Sequence, residues 1–404
     1  MNTSNDLTTQ NQRVSHGSGL RVLFVSHAYV VGVNQGKLNA IAQNDDITVG
    51  LLVPNNWKAM EWNRLIPVEH PYSNIQIYSL PALFSGRGGA YCYNPWSLFK
   101  VLNDFQPDIV QVEEEVFSLL AFEVALWVRL WQKPMIVFGW ENMERCLPVL
   151  RRWVRDFVMA TTQLFIAGNS DGAKVMSQWD YQGLIEVMPQ IGVDTQLFTP
   201  QLVKPDNNGK FRIGFLGRLA TGKGVDLLLS SLYKLRCRGL ECQVILCGSG
   251  PCEASLKQQA EDLQVSEWII WRGGVRHEQA PQEIANFDVL VLPSRSTPEW
   301  KEQFGHVLIE AMAMGIPVIG SSSGEIPNVI GRPDLVFPEN DVDALTAILE
   351  KMMREPEWWQ EAGQYCFDRT HEHYSHTRIA ERLINLWKHL SVKNHNICEL
   401  SGSS

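Results

Sequence analysis

Glu302-Gln-Phe-Gly-His-Val-Leu-Ile-Glu310, running directly into Ala-Met-Ala-Met-Gly315-Ile-Pro317-Val, sets two carboxylates eight positions apart. The first belongs to a polar loop carrying Pro298, Trp300 and Lys301; the second sits inside an apolar stretch of helical spacing. A carboxylate among Val307, Leu308, Ile309, Ala311 and Met312 is costly to bury unless something hydrogen-bonds it. It either pairs with a buried Arg or Lys or waits for a polyhydroxylated ligand. Phe304-Gly305 opens the helix, so backbone N–H groups with no helical partner point into the same space. Donors for an anion plus two carboxylates for hydroxyls are what a sugar nucleotide requires.

Outward from this segment, short apolar runs alternate with helical spacing. In the second half the runs are 212–216, 243–247, 268–271, 289–292 and 317–320, with helices expected at 225–235, 251–263, 278–286 and 305–314. The first half repeats the pattern. Its runs are 21–26, 47–53, 75–80, 108–112, 135–138, 164–167 and 185–188, with helices at 95–102, 116–130, 148–161 and 170–179. Such alternation predicts an α/β chain with parallel sheets covered on both faces. The Pro-, Asn- and Gly-bearing stretch 201–210 reads as a linker. Two doubly wound units then follow: residues 20–195 and 196–370, with a disordered tail at 1–19, a C-terminal helix at 371–392 that could return to the first unit, and a tail at 393–404. Two such units bring their strand ends to face a common cleft.

Gly214-Phe-Leu-Gly217-Arg218-Leu-Ala-Thr-Gly222-Lys223-Gly224 follows a strand and opens a helix. It falls one residue short of a P-loop, because Gly224 stands where Ser or Thr would hold magnesium. What survives is a turn carrying Arg218 and Lys223, suited to clamp a diphosphate without a metal; solvated surface cations are the plainer alternative. Gly248-Ser-Gly250-Pro251 ends the next strand in a glycine turn. Val291-Leu-Pro293-Ser294 closes another just before Glu302.

Taken in order, these motifs, with Gly324-Glu-Ile-Pro327 and Pro189-Gln-Ile-Gly-Val-Asp194, resemble the family-4 retaining glycosyltransferases of the GT-B fold. The likeness is strong over residues 185–390 and one of layout before that. It implies two Rossmann-like domains facing across a cleft, the first for the acceptor and the second for the nucleotide-sugar donor. By this resemblance Glu302 meets the donor sugar hydroxyls, and Glu310 binds the ribose. Arg218 and Lys223 hold the diphosphate beside Gly217, Gly248 and Gly250. Phe304, Gly305, His306 and Val307 offer backbone N–H groups, and Val275 and Arg276 border the base. His306 stands where relatives often carry an aliphatic residue or Arg. No cofactor and no metal is implied; the nucleotide-diphosphate sugar is a co-substrate, transferred with retention of configuration. A sugar-nucleotide epimerase and a non-catalytic nucleotide-sugar-binding protein fit the same donor residues. A dinucleotide oxidoreductase does not, because the first strand leads into no Gly-x-Gly-x-x-Gly turn.

On the acceptor side, Glu113-Glu114-Glu115 ends a strand where many relatives place a His. Glu113 or Glu114 could take a proton from an acceptor hydroxyl, or all three could be merely solvated. Trp140 could stack on a sugar or pack in the core, and His27 could approach acceptor or donor. Arg151, Arg152 and Arg155, among Val149, Leu150, Trp153 and Phe157, give the 147–159 helix a basic, amphipathic character. Such a helix suits peripheral contact with a membrane and a lipid-linked acceptor; an ordinary surface helix is the alternative.

At 404 residues, with 20% charged and 45% apolar, the chain is long enough for two cores. A formal charge of −9 gives no footprint for nucleic acid. No uninterrupted apolar run reaches the roughly 18 residues of a span, and no signal core precedes Leu20. The expectation is a cytoplasmic protein, with a peripheral place on the inner face of the plasma membrane, building a cell-surface polysaccharide. Cys237, Cys242, Cys247 and Cys252 recur every fifth residue but form no Cys-x-x-Cys pair, so the eight cysteines read as free thiols.

Overall fold

A computed structural model describes residues 19–59, 64–200 and 209–401, with side chains as far as Leu390. The expected tail at 1–19 and most of the 201–210 linker fall outside the described residues.

The first half opens with β1 (Leu20–Val25), α1 (Gly36–Ile41) and β2 (Ile47–Pro54). A hairpin of β3 (Asn56–Ala59) and β4 (Arg64–Pro67) precedes β5 (Gln76–Leu80). Then come α2 (Pro95–Phe105), β6 (Ile109–Glu113), α3 (Leu119–Leu130), β7 (Met135–Gly139) and α4 (Val149–Thr161). β8 (Leu164–Ala167), α5 (Ser170–Gln178) and β9 (Leu184–Val187) complete it. Helix starts carry their own signals. The Asn94 side chain accepts from the Trp96 and Ser97 N–H groups ahead of Pro95, and Ser118 and Asn169 cap α3 and α5 in the same way.

The seven main strands form one parallel sheet in the order β5-β2-β1-β6-β7-β8-β9. The chain moves outward from β1 to one side, then returns to β6 and moves to the other. The β1–β6 seam is therefore a topological switch point.

The second half repeats the scheme with β10 (Phe211–Leu216), α6 (Val225–Cys237), β11 (Cys242–Cys247), α7 (Glu253–Asp262), β12 (Ile269–Gly273) and α8 (Ala280–Ile284). It continues through β13 (Val289–Leu292), α9 (His306–Ala313), β14 (Val318–Ser321), α10 (Ile326–Ile330) and β15 (Val336–Phe337). Its parallel sheet runs β12-β11-β10-β13-β14-β15, so the switch point lies between β10 and β13. Helices α11 (Val342–Arg354), α12 (Pro356–His373) and α13 (His376–Ser401) end the chain.

The single helix read from 371 to 392 is two. α12 stops because residues 374–376 pair with the other crossing segment: Val193 N–H donates to Tyr374 O at 2.9 Å and His376 N–H to Val193 O at 3.3 Å. α13 then runs on to Ser401, well into the expected tail, with no Gly or Pro between 376 and 401 to stop it. It packs Ile379, Leu383 and Trp387 against Val22, Phe24 and Ile136 of the first sheet.

Candidate functional site

Gly217 follows β10 and Ser294 follows β13, at the switch point of the second sheet, so both turns open toward the first domain. The turn after β10 is held by its glycines. A Cβ on Gly248 would lie 1.8 Å from Gly217 O, so the two βα turns can only nest without side chains. Gly224 has φ +66°, and a Cβ there would meet Pro293 O at 1.9 Å. The magnesium-binding hydroxyl of a P-loop is thus sterically barred at this position.

Lys223 Nζ lies 2.6 Å from Glu302 Oε2, which also accepts from Ser294 Oγ at 2.7 Å. The ammonium sits 5.0 Å from the centre of the Trp300 ring. Glu302 is buried, yet Oε1 has no partner among the described residues and stays open to a hydroxyl. Lys301, beside it, reaches away to Asp171 of the first domain at 2.8 Å.

Arg218, Lys223 and Glu302 line one hollow of about 440 Å³ with Gly217, Phe304, Gly305, His306 and Val307, the mouth of α9. Trp140 and Gln190 close it from the first domain. Glu310 lies one turn along in an adjoining hollow of about 220 Å³, with Val33, Asn34, Asp194, His277 and His376. His306 lines both. Glu310 is 3.8 Å from His277 Nδ1, beyond hydrogen-bonding distance, and no Arg or Lys among the described residues pairs with it. Burial alone raises its carboxyl to about 7. Burial also keeps His277 and His306 less basic than usual, so neither supplies a compensating cation at neutral pH.

The remaining expected donor residues do not line either hollow. Gly248 and Gly250 shape the turn from behind, and Val275 and Arg276 stand at the turn into α8, one and two residues before His277. Sequence reading missed Ser294 as the clamp on Glu302, His277 beside Glu310, and His376. Ser294 had a signal in its Pro-Ser strand end; His376, from a helix 66 positions beyond Glu310, had none.

The acceptor-side acids need correction. Glu113 is enclosed: Lys37 Nζ lies 2.7 Å from Oε1, Gln111 donates at 2.8 Å, Gln190 at 3.0 Å, and Tyr29 closes the set. No acceptor hydroxyl can reach it. Glu115 is half-buried, accepting from the Trp140 and Glu141 N–H groups at 2.7 and 3.1 Å. Burial raises it to about 7. None of the three is merely solvated. Strand ends facing a cleft also face the layer beneath, and these side chains turn that way. Trp140 donates to Gln190 at 2.9 Å, packs on Phe304 and His306, and lines the hollow.

Two doubly wound domains facing across a cleft, with a glycine turn and a helix mouth of the second opening onto it, make up the GT-B architecture. Residues 201–367 match the family model described as glycosyl transferases group 1. A GDP-mannose-dependent α-(1-6)-phosphatidylinositol monomannoside mannosyltransferase of Mycolicibacterium smegmatis is 29% identical over 54% of the chain and 59% of its own length. The chain therefore spans little more than half of that relative. An MMP α-(1→4)-mannosyltransferase of Mycolicibacterium hassiacum is 26% identical over 76% of the chain and 75% of its own length. Anabaena HepE, solved in complex with UDP, superposes with a TM-score of 0.66 at 16% identity, covering 91% of this chain and 100% of that one. No helix among the described residues is long and apolar enough to cross a membrane.

Proposed function

We propose that the protein is a retaining hexosyltransferase that moves a sugar from a nucleotide-diphosphate donor to a hydroxyl of a glycan or lipid-linked acceptor. The observation that carries this is the shared hollow of Arg218, Lys223, Glu302 and the mouth of α9, with an unpaired Glu310 in the next one. Breaking the bond between sugar and diphosphate leaves negative charge on the phosphate, and fixed cations and N–H groups stabilise it best where water is excluded. Glu302 Oε1 accepts a donor-sugar hydroxyl, and Glu310 accepts from the ribose. The clamp draws on no metal ion. Both relatives above are named mannosyltransferases, so GDP-mannose is the first donor to test.

The test is calorimetry with GDP, UDP and ADP, followed by transfer assays. Glu302→Gln should lower turnover about 10²–10³-fold and leave nucleotide affinity within a few-fold. Equal loss of free-nucleotide binding would show that Glu302 is not at the sugar.

The 147–159 segment refines the membrane expectation. Arg151 donates to the Gly89 and Phe117 carbonyls, and Arg155 pairs with Asp156 and stacks on Trp179. The exposed face is instead Val149, Leu150 and Trp153 with Arg152. In this reading the protein works on the cytoplasmic side and adsorbs by apolar contact more than by charge, serving cell-surface polysaccharide synthesis. Flotation on neutral vesicles as efficient as on anionic ones supports that; no flotation on either removes it.

A further inference from the structure

Five side chains form one hydrogen-bonded row through the first domain, from α13 to the hollow of Arg218, Lys223 and Glu302. Trp387 Nε1 donates to Gln111 Oε1 at 3.2 Å, and Gln111 Nε2 donates to Glu113 Oε1 at 2.8 Å. From the other side Gln190 Nε2 donates to Glu113 Oε2 at 3.0 Å, and Gln190 Oε1 accepts from Trp140 Nε1 at 2.9 Å. Lys37 Nζ reaches Oε1 at 2.7 Å and the Tyr29 hydroxyl donates to Oε2, all within the buried interior. Glu113 is the link that accepts on both sides, because an ionised carboxylate has no hydrogen to give. A glutamine amide has one donor end and one acceptor end, so its donor end held at Glu113 leaves its oxygen for the indole. The carboxylate therefore sets which way both amides point, and through them where both indole N–H groups are held. One indole anchors α13. The other, Trp140, is half-buried and lines the hollow, with its ring so close over Gly168 that a Cβ there would come within 2.1 Å of it.

We propose that Glu113 is a positioning residue for the sugar being transferred: acting through Gln190, it holds the Trp140 indole as the first-domain wall of the hollow beside Glu302. Replacing a buried ion pair by packed apolar side chains often leaves stability unchanged or raises it. What the Lys37–Glu113 pair supplies is direction, a fixed polarity passed along the row to Trp140. The relay deepens the hexosyltransferase reading and rests on it. Glu113→Gln tests the polarity, since the new side chain keeps one oxygen and gains an NH₂. Lys37 has donors only, so the oxygen stays with Lys37 and Gln111. The NH₂ then faces Tyr29, whose hydroxyl can turn to accept, and Gln190, whose amide must rotate. That rotation sets the Gln190 NH₂ against the Trp140 N–H, where two donors cannot bond. Trp140 is released while Trp387 stays held. Adding Gln190→Glu restores the row, because a carboxylate at position 190 accepts from both of its neighbours.

The measurement is ¹H–¹⁵N NMR of the two indole N–H resonances, assigned through Trp140→Phe and Trp387→Phe, with calorimetry on the same proteins. Gln190→Met, which leaves the Lys37–Glu113 pair intact, marks the position of an unbonded Trp140. In Glu113→Gln the Trp140 resonance should move toward that mark while the Trp387 resonance stays, and the double variant should return Trp140 to its place. In wild type, GDP-mannose or UDP-glucose should shift Trp140 further than GDP or UDP alone. The affinity of the nucleotide sugar relative to its free nucleotide should fall about tenfold in Glu113→Gln and Gln190→Met, the size of one buried hydrogen bond left unmade. Trp140 unmoved in Glu113→Gln, both indoles moving alike, or an unchanged affinity ratio overturns the relay. Should Glu113→Gln not fold, the ratio in Gln190→Met decides alone. Wild-type protein that binds no nucleotide removes the transferase reading instead, and the indole pattern then still decides whether Glu113 sets Trp140.

Discussion

Glu310 bears a cost at rest, because a carboxyl held at about 7 by burial prefers to be neutral in the folded chain. The unfolded chain ionises near the ordinary value of 4.5. Between 4.5 and 7 the folded state therefore holds the extra proton, and stability falls as pH rises through that window. Glu310→Gln should raise Tm at pH 8 by about 2–4 °C for each kcal/mol relieved, and leave it unchanged near pH 4. Melting curves at the two pH values check this; equal shifts at both would place the effect elsewhere. If Glu310 accepts from the ribose as proposed, the same substitution should also weaken nucleotide binding. In wild type, binding should release up to one proton below pH 7 and none well above it, measurable by calorimetry in buffers of differing ionisation enthalpy. Glu302, by contrast, is held by Lys223 and Ser294. Lys223→Ala should strip that support and the diphosphate contact together, and an unchanged affinity ratio of nucleoside to nucleoside diphosphate would refute the clamp.

At the scale of elements, the turn after β10 shows what sequence spacing can and cannot mislead about. Gly217…Gly222-Lys223-Gly224 looks one substitution away from a P-loop, but the left-handed Gly224 lies against Pro293 O. Gly224→Ser should therefore destabilise the domain by more than about 1 kcal/mol and create no magnesium dependence; magnesium-stimulated binding in that variant would contradict the geometry. The parallel strands and the Glu302–Glu310 helix were legible because buried runs and an acid out of place leave local traces. The β3–β4 hairpin was not: Asn56–Ala59 and Arg64–Pro67 are half-exposed and show no apolar alternation. The direction of Glu113 was equally hidden, since only the fold brings Lys37, Tyr29 and Gln190 around it. α13 belongs to the same class, because its partners lie over 350 positions earlier at Val22 and Phe24. Trp387, fully buried and donating to Gln111 at 3.2 Å, ties the end of the chain to the Gln111–Glu113–Gln190–Trp140 series. Trp387→Ala should cost about 3–5 kcal/mol, seen as an early transition of the first domain in denaturant.

For the whole molecule, the chain crosses between domains twice, and the crossings lie side by side at Val193 and Ser375. A pair of adjacent backbone segments is a hinge by construction, able to turn without breaking either core. On the far side of the cleft a set of contacts holds the two domains together. Glu325 Oε2 accepts from the Ser170 N–H at 2.8 Å and Oε1 from Ser170 Oγ at 3.0 Å, capping α5 from the opposite domain. Lys301 pairs with Asp171 at 2.8 Å, and Gln303 donates to Trp140 O at 3.1 Å. This clasp is joined to the site: Glu325 N–H donates to Glu302 O at 3.3 Å, and Lys301 and Gln303 flank Glu302 in the chain. Closing the domains and seating Glu302 are then one event. The contacts are unequal, however. The Lys301–Asp171 pair is partly exposed and worth about 0.2–1 kcal/mol, whereas a buried, charge-assisted cap is worth about 1–2 kcal/mol. Glu325→Ala should therefore raise the donor KM roughly tenfold and enlarge the radius of gyration in nucleotide-bound solution scattering. Lys301→Ala should change both by less than about threefold. If Glu325→Ala scatters and turns over like wild type while Lys301→Ala does not, closure is governed by the surface pair and the cap is incidental.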